Sequence, residues 1–251
     1  MTSFTLKYIQ GTQELVLEEL QTRFPHCDVL AIHAASIEFT SPTHDIEAYR
    51  VLLSPLHLKR EDNAQINLAR RSWRSSFTSG GINPSLAYCM CMLAKIKETD
   101  VVLDPFCGSG TIPVSAALYF TPHKAIASDV SGMAVDATQK SFTEAGVSMK
   151  RFVVFRSNVS MLRLPKAYVN IVITNLPFGV KVKDHEANQK IYTQFAHKMK
   201  SLVKPGGTII ALTQEKTLLQ ECFTGDEFKL IQKLQVHQGG LIPEIFVYRR
   251  I

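Results

Sequence analysis

The chain offers no framework for covalent or metal cross-linking. Its five cysteines, Cys27, Cys89, Cys91, Cys107 and Cys222, are odd in number and nowhere spaced C-x-x-C, which excludes a disulfide scaffold and argues against a zinc site. The histidines are scattered, with no pair at helical spacing beside a carboxylate, so no metal is expected. No apolar run approaches the roughly 18 residues of a membrane span, and the opening MTSFTLKYIQ has no basic segment leading into an apolar one. No repeat or low-complexity stretch is visible. These absences predict a soluble, unprocessed protein of the reduced cytoplasm, making no membrane contact.

What is present suits one full α/β core with a small appendage: 251 residues, 45% hydrophobic and 20% charged. The net charge of +6 shifts the odds towards nucleic acid only slightly. Local clustering says more. Lys59, Arg60, Arg70, Arg71 and Arg74 fall within sixteen positions, interleaved with Trp73 and Phe77, and Lys181, Lys183 and Lys190 form a second group. Basic residues beside aromatics suit phosphate neutralisation and base stacking, or form an ordinary solvated face.

Residues 1–68 read as a small α+β module: FTLKYI alternates like a strand, GTQELVLEELQTRF has apolar residues at helical spacing, and VLAIHAASIEF alternates again. In residues 69–251, Asn83-Pro84-Ser85 signals a helix start before LAYCMCMLAKIK, and regular strand–helix alternation begins at Val101. VVLDPF, KAIASDV, FVVFRSN, NIVITN and GTIIALT read as strands; Gly110–Phe120, Ser131–Ala145 and about Asn188–Val203 read as helices, the last stopped by Lys204-Pro205-Gly206-Gly207. Such alternation predicts a doubly wound, mostly parallel sheet. FKLIQKLQVHQ and LIPEIFVYRRI lie too close together for a crossover helix and predict an antiparallel hairpin at the end.

Asp104-Pro105-Phe106-Cys107-Gly108-Ser109-Gly110-Thr111 marks the turn from the first of these strands into its helix. Glycines there let the backbone turn sharply and approach a ligand at the helix N-terminus. Phosphate sites and tight turns share that pattern, but the Lys-Ser/Thr ending of a triphosphate loop is missing. Asp129, twenty-five positions after Asp104, ends the second strand, where a carboxylate can accept from a ribose diol or cap the following helix. Asn158 ends the third, where its side-chain carbonyl can stabilise the loop.

The fourth strand runs into Asn175-Leu176-Pro177-Phe178-Gly179. With DPFCGSGT seventy-one residues earlier, this resembles the amino-methyltransferases, whose fourth strand ends in Asn, Asp or Ser, usually Pro-Pro, then an aromatic. Arg71-Ser72-Trp73-Arg74, Asn83-Pro84-Ser85-Leu86-Ala87 and Gly239-Gly240-Leu241 extend the likeness to the catalytic domain of the THUMP-associated RNA guanine-N2 methylase family. That resemblance covers about 180 residues from Arg71. It implies a seven-stranded class I methyltransferase (Rossmann-like) sheet and S-adenosylmethionine as cofactor, held by Asp104, Phe106, Gly108, Gly110, Thr111, Asp129, Val130, Asn158 and Asn175. It further implies methylation of a guanine amino group in RNA, tRNA above rRNA, with Asn175, Leu176, Pro177 and Phe178 at the reaction centre and Arg71, Arg74, Lys181 and Lys183 on the RNA.

The two departures are Asn158, where similar enzymes place an Asp that receives the adenine amine and where the Asn carbonyl would have to accept it, and a short N-terminal module that resembles a reduced ferredoxin-like unit without a THUMP module. RNA capture then falls to the Lys59–Arg74 patch, to an activating protein subunit or to self-association. DNA adenine-N6 methylation, protein glutamine-N5 methylation and a silent RNA-binding scaffold stand as the rival readings.

Overall fold

The computed structural model describes residues 1–74, 81–178 and 182–251. The N-terminal part begins with β1 (Thr2–Lys7), α1 (Gln13–Arg23), β2 (Asp28–Ile32) and β3 (Ser36–Ser41), followed by β4 (His57–Arg60) and β5 (Gln65–Asn67). These five strands make one antiparallel sheet in the order β2-β3-β1-β4-β5. The expected β-α-β fragment is thus incomplete in two ways. The alternating run VLAIHAASIEF is a hairpin, reversed where His33 N donates to Ser36 O at 2.8 Å, a turn without the glycine or proline that would advertise it. After β3 the chain makes only a 3-10 turn, Ile46–Val51, before adding β4 and β5. The core under this sheet is aromatic: Phe4, Phe39, Tyr49 and Phe24 pack ring on ring.

The remainder contains α2 (Pro84–Ala94), β6 (Val101–Asp104), α3 (Thr111–Tyr119), β7 (Lys124–Asp129), α4 (Gly132–Glu144), β8 (Phe152–Arg156) and β9 (Val169–Asn175). α5 (Val182–Leu202), β10 (Val203–Thr213), α6 (Lys216–Cys222), β11 (Phe228–Gln235) and β12 (Glu244–Arg250) complete it. The seven strands order as β11-β12-β10-β9-β6-β7-β8, with β12 alone reversed against the rest. This is the predicted parallel sheet closed by a hairpin. α2 starts as its signal implies, with Asn83 Oδ1 accepting from Ser85 N at 2.8 Å and Pro84 in the first turn. It ends three residues sooner than the apolar run suggests, because Lys95 adopts a left-handed conformation. α5 begins earlier than Asn188 and runs directly into β10; Lys204–Gly207 forms a bulged strand start, with the register shifting between Val203 and Thr208.

Hydrogen bonds brace the N-terminal part both internally and against the rest of the chain. Ser85 Oγ donates to Pro55 O at 2.6 Å, and His237 N donates to Gln10 O at 3.1 Å. The buried Glu19 carboxylate accepts from Leu53 N, Ser54 N and Ser54 Oγ, the last at 2.6 Å. Gly11 sits at φ +97, and a Cβ there would lie 1.9 Å from Gln235 O. Gly11→Ala is expected to destabilise the protein by on the order of 2–3 kcal/mol, since both the dihedral and the space forbid a side chain. Thermal denaturation checks this: an unchanged melting temperature would mean the contact with β11 is not a tight one.

Candidate active site

In an open parallel sheet, ligands bind beyond the carboxyl ends of the strands, where the chain switches direction of winding. Here β6, β7 and β8 run to one edge and β9 returns on the other side of β6, so the switch lies between β6 and β9. A cleft of about 560 Å³ opens at that point, lined by residues at the ends of β6, β7 and β9, by Ser157–Val159 beyond β8, and by Ile82, Ile191 and Leu241. Asp104, Phe106, Gly108, Thr111, Asp129, Val130, Asn158, Asn175, Leu176, Pro177 and Phe178 all line it. Asn175 and Gly108 thus lie on one cleft.

Asp104 closes the floor. Only 1% exposed, its Oδ1 accepts from Thr174 Oγ1 at 2.7 Å and Phe106 N at 3.2 Å. Burial pushes the carboxyl up to about 7, against the lowering effect of those bonds and with a further raising contribution from nearby Asp129. Asp129 binds the neighbouring turn: Oδ2 accepts from Gly108 N at 3.0 Å and Oδ1 from Ser131 N at 2.9 Å. The cap of α4 is Ser131, whose hydroxyl accepts from Ala134 N, so Asp129 is not the helix cap. Gly110 stands apart from the other expected cofactor residues. Among the described residues it does not line the cleft; at φ +85 it lets α3 approach α4, where a Cβ would come within 3.0 Å of Thr138.

Asn158 reaches the cleft but with its carbonyl already engaged. Oδ1 accepts from Ser160 N at 3.0 Å and Ser160 Oγ at 2.9 Å, starting the 3-10 turn Val159–Met161. The expected acceptance from an adenine amine is taken over by this local turn, which leaves the side-chain amide as a donor.

The loop leaving β9 is tied down from two sides. Leu176 is 1% exposed, its side chain in the core and its N donating to Leu212 O at 3.0 Å. The Pro177 carbonyl accepts from Asn188 Nδ2 at 3.1 Å and from Tyr192 Oη at 2.9 Å. Phe178 packs partly against Ile82, Leu86 and their neighbours and partly lines the cleft. Sequence reasoning missed Asn188 and Tyr192. The available signal was their i, i+4 spacing, which puts both on one face of α5.

The expected RNA contacts fare differently. Arg71 is buried: its guanidinium donates to Leu68 O and, at 2.7 Å, to Leu53 O, and burial lowers its pKa. It straps the N-terminal sheet to the cleft domain instead of facing solvent. Trp73 is likewise interior, donating from Nε1 to Tyr119 Oη at 3.2 Å and packing on Cys107 and Val114. Arg74 is half-buried and donates to Ile82 O at 3.2 Å, beside the cleft. Lys59 and Arg70 are exposed. Phe77, Gly179 and Lys181 lie outside the described residues, and Lys183 is placed on α5 without a described side chain. Arg71→Ala is therefore expected to act on stability, leaving two carbonyls unsatisfied at about 1–3 kcal/mol each. The slope of log affinity for RNA against log salt should stay that of the wild type; a slope reduced by about one would restore Arg71 to the phosphates.

No helix among the described residues is long and apolar enough to cross a membrane, and no cluster of metal-ligating side chains is found among them.

The strand order, the reversed β12 and the cleft between β6 and β9 define a class I methyltransferase fold. Residues 71–244 match the RMKL-like methyltransferase domain, and the chain belongs to that family. It is similar to the tRNA (guanine(10)-N2)-dimethyltransferase of Methanothermobacter thermautotrophicus, 33% identical over 57% of this chain and 41% of that protein. It is also similar to the bovine U6 snRNA (guanine-N(2))-methyltransferase THUMPD2, 32% identical over 57% of this chain and 27% of that protein. The chain thus spans less than half the length of either relative. Among solved structures, TrmN from Thermus thermophilus superposes with a TM-score of 0.86 and 20% identity over 100% of both chains, a likeness of fold.

Proposed function

We propose that this protein transfers a methyl group from S-adenosylmethionine to the exocyclic N2 of a guanosine in RNA, with tRNA the first substrate to test. The observation that carries the reading is the joint placement of Asn175, Pro177 and Phe178 on one cleft with Asp104, Gly108 and Asp129. The residues fit the cofactor. Asp129 can accept from ribose hydroxyls, Asp104 offers a carboxylate to a cationic methionine end, and Phe106, Val130 and Val159 supply apolar walls. When bound, the cofactor supplies a methyl group on a positively charged sulfur.

The chain's own residues do the rest. An exocyclic amine is a weak nucleophile because its lone pair is delocalised into the ring. Asn175 Oδ1 and a backbone carbonyl of the loop orient it by accepting its hydrogens, so that the lone pair faces the methyl group. Pro177 limits the loop's freedom, and Phe178 stacks on a base swung out of its helix. Exposed Lys59 and Arg70, and half-buried Arg74 beside the cleft, can meet phosphates. The relatives' names add support, since both methylate guanine N2 in RNA.

Incubating the protein with methyl-labelled cofactor and bulk RNA, followed by nucleoside mass spectrometry, is expected to give N2-methylguanosine. Label appearing only as N6-methyladenosine, or only in protein, would overturn the assigned base.

A further inference from the structure

Pro177 is held at both ends, by different means. Its ring fixes φ, and its carbonyl is gripped by two donors from a single helix. Asn188 Nδ2 lies at 3.1 Å and Tyr192 Oη at 2.9 Å. Neither donor is a surface group: Asn188 is 4% exposed and Tyr192 is fully buried. The tyrosine hydroxyl has a second partner. Glu215 N donates to Thr213 Oγ1 at 2.8 Å, and Thr213 Oγ1 lies 2.5 Å from Tyr192 Oη. With the Tyr192 proton directed to the Pro177 carbonyl, the Thr213 hydroxyl donates its own to Tyr192. The chain Glu215 to Thr213 to Tyr192 to Pro177 then runs one way, and it ties the loop to the end of β10 and the middle of α5.

A carbonyl fixed in this way fixes the plane of the Pro177–Phe178 peptide, and hence the starting direction of the Phe178 side chain. We propose that Asn188 and Tyr192 are positioning residues that lock this plane, holding Phe178 where the target base must stack and Asn175 where its amine must lie. The inference rests on the reading of Asn175–Phe178 as an amine-methylating loop. Neither residue lines the cleft; both side chains are buried beneath α5 and meet the loop at the Pro177 carbonyl.

The test uses Tyr192→Phe, Asn188→Ala and the double variant, with steady-state transfer to RNA, calorimetric cofactor binding and thermal melting measured on each. The phenyl ring of Tyr192→Phe keeps the core filled, so this variant carries the test if Asn188→Ala does not fold. The expected result is a fall in kcat of roughly tenfold for each single variant and roughly a hundredfold for the double, from a loop misplaced by a fraction of an ångström. Cofactor affinity and the KM for RNA should remain within about twofold, since phosphate contacts dominate RNA affinity. A purely structural role gives the opposite pattern, in which melting falls and kcat per folded molecule is unchanged, and that result overturns the inference. Wild-type protein that methylates no RNA overturns the reading beneath it as well, whereas active wild type with fully active Tyr192→Phe overturns the inference alone.

Discussion

Replacing Asn175 with alanine should lower kcat for methyl transfer by about 10²–10³-fold while leaving cofactor affinity within a few-fold of wild type. The amine has little charge in the ground state. As the new N–C bond forms, the nitrogen becomes cationic and its hydrogens acidic, so an acceptor oxygen on Asn175 interacts more strongly with the transition state than with bound substrate. Such a loss appears in kcat and kcat/KM together. Single-turnover kinetics with saturating cofactor measures it directly. Equal losses of turnover and cofactor binding would instead make Asn175 a wall of the cleft, with no part in orienting the amine.

The second large effect concerns Asp104, where stability and ligand binding oppose one another. Its folded-state carboxyl is raised from 3.8 to about 7 by burial. Between those values the unfolded chain has released its proton while the folded protein still holds one. The unfolded state therefore binds fewer protons, and stability falls as pH rises through the window from about 4 to 7. Above it the penalty is roughly 4 kcal/mol. Asparagine keeps an acceptor for Thr174 Oγ1 and Phe106 N and cannot ionise. Asp104→Asn is expected to melt several degrees higher than wild type at pH 8 in the absence of cofactor, yet to bind cofactor about a hundredfold more weakly, having no carboxylate for a cationic ligand. In the wild type, cofactor affinity should strengthen with pH up to about 7 and then level off. Calorimetry across pH 5.5–8.5 on both proteins checks this, and parallel behaviour of the two would remove Asp104 from the binding chemistry.

The large sheet was legible because its residues carry an unambiguous period: buried apolar strands such as VVLD and VNIVITN alternate with helices opened by Asn83-Pro84 and Ser131. The N-terminal sheet was only half legible. Its strands are short, two of them are His57–Arg60 and Gln65–Asn67, and the β2–β3 reversal uses His33–Ala35, none of them a strong turn former. At the site, chain order brought out Asp104, Asp129 and Asn175, which end strands, and Asn158, two residues beyond one. It could not show how each polar atom is spent. Asn158 Oδ1 goes to Ser160, the Arg71 guanidinium goes to backbone carbonyls, and Pro177 O is claimed by a helix eleven and fifteen residues further on. Such assignments depend on tertiary distance, for which a linear pattern has no signal. Trp73 is the plainest case. An aromatic between arginines reads as a stacking platform, but burial against Tyr119 makes it core.

In the proposed reaction the loop after β9 presents acceptors to the 2-amino group of guanine. Inosine differs from guanosine by lacking that group alone. Parallel assays with a guanosine-containing RNA substrate and the same transcript carrying inosine in its place should give full methyl transfer to the first and none to the second. Equal labelling of the inosine transcript would contradict the account.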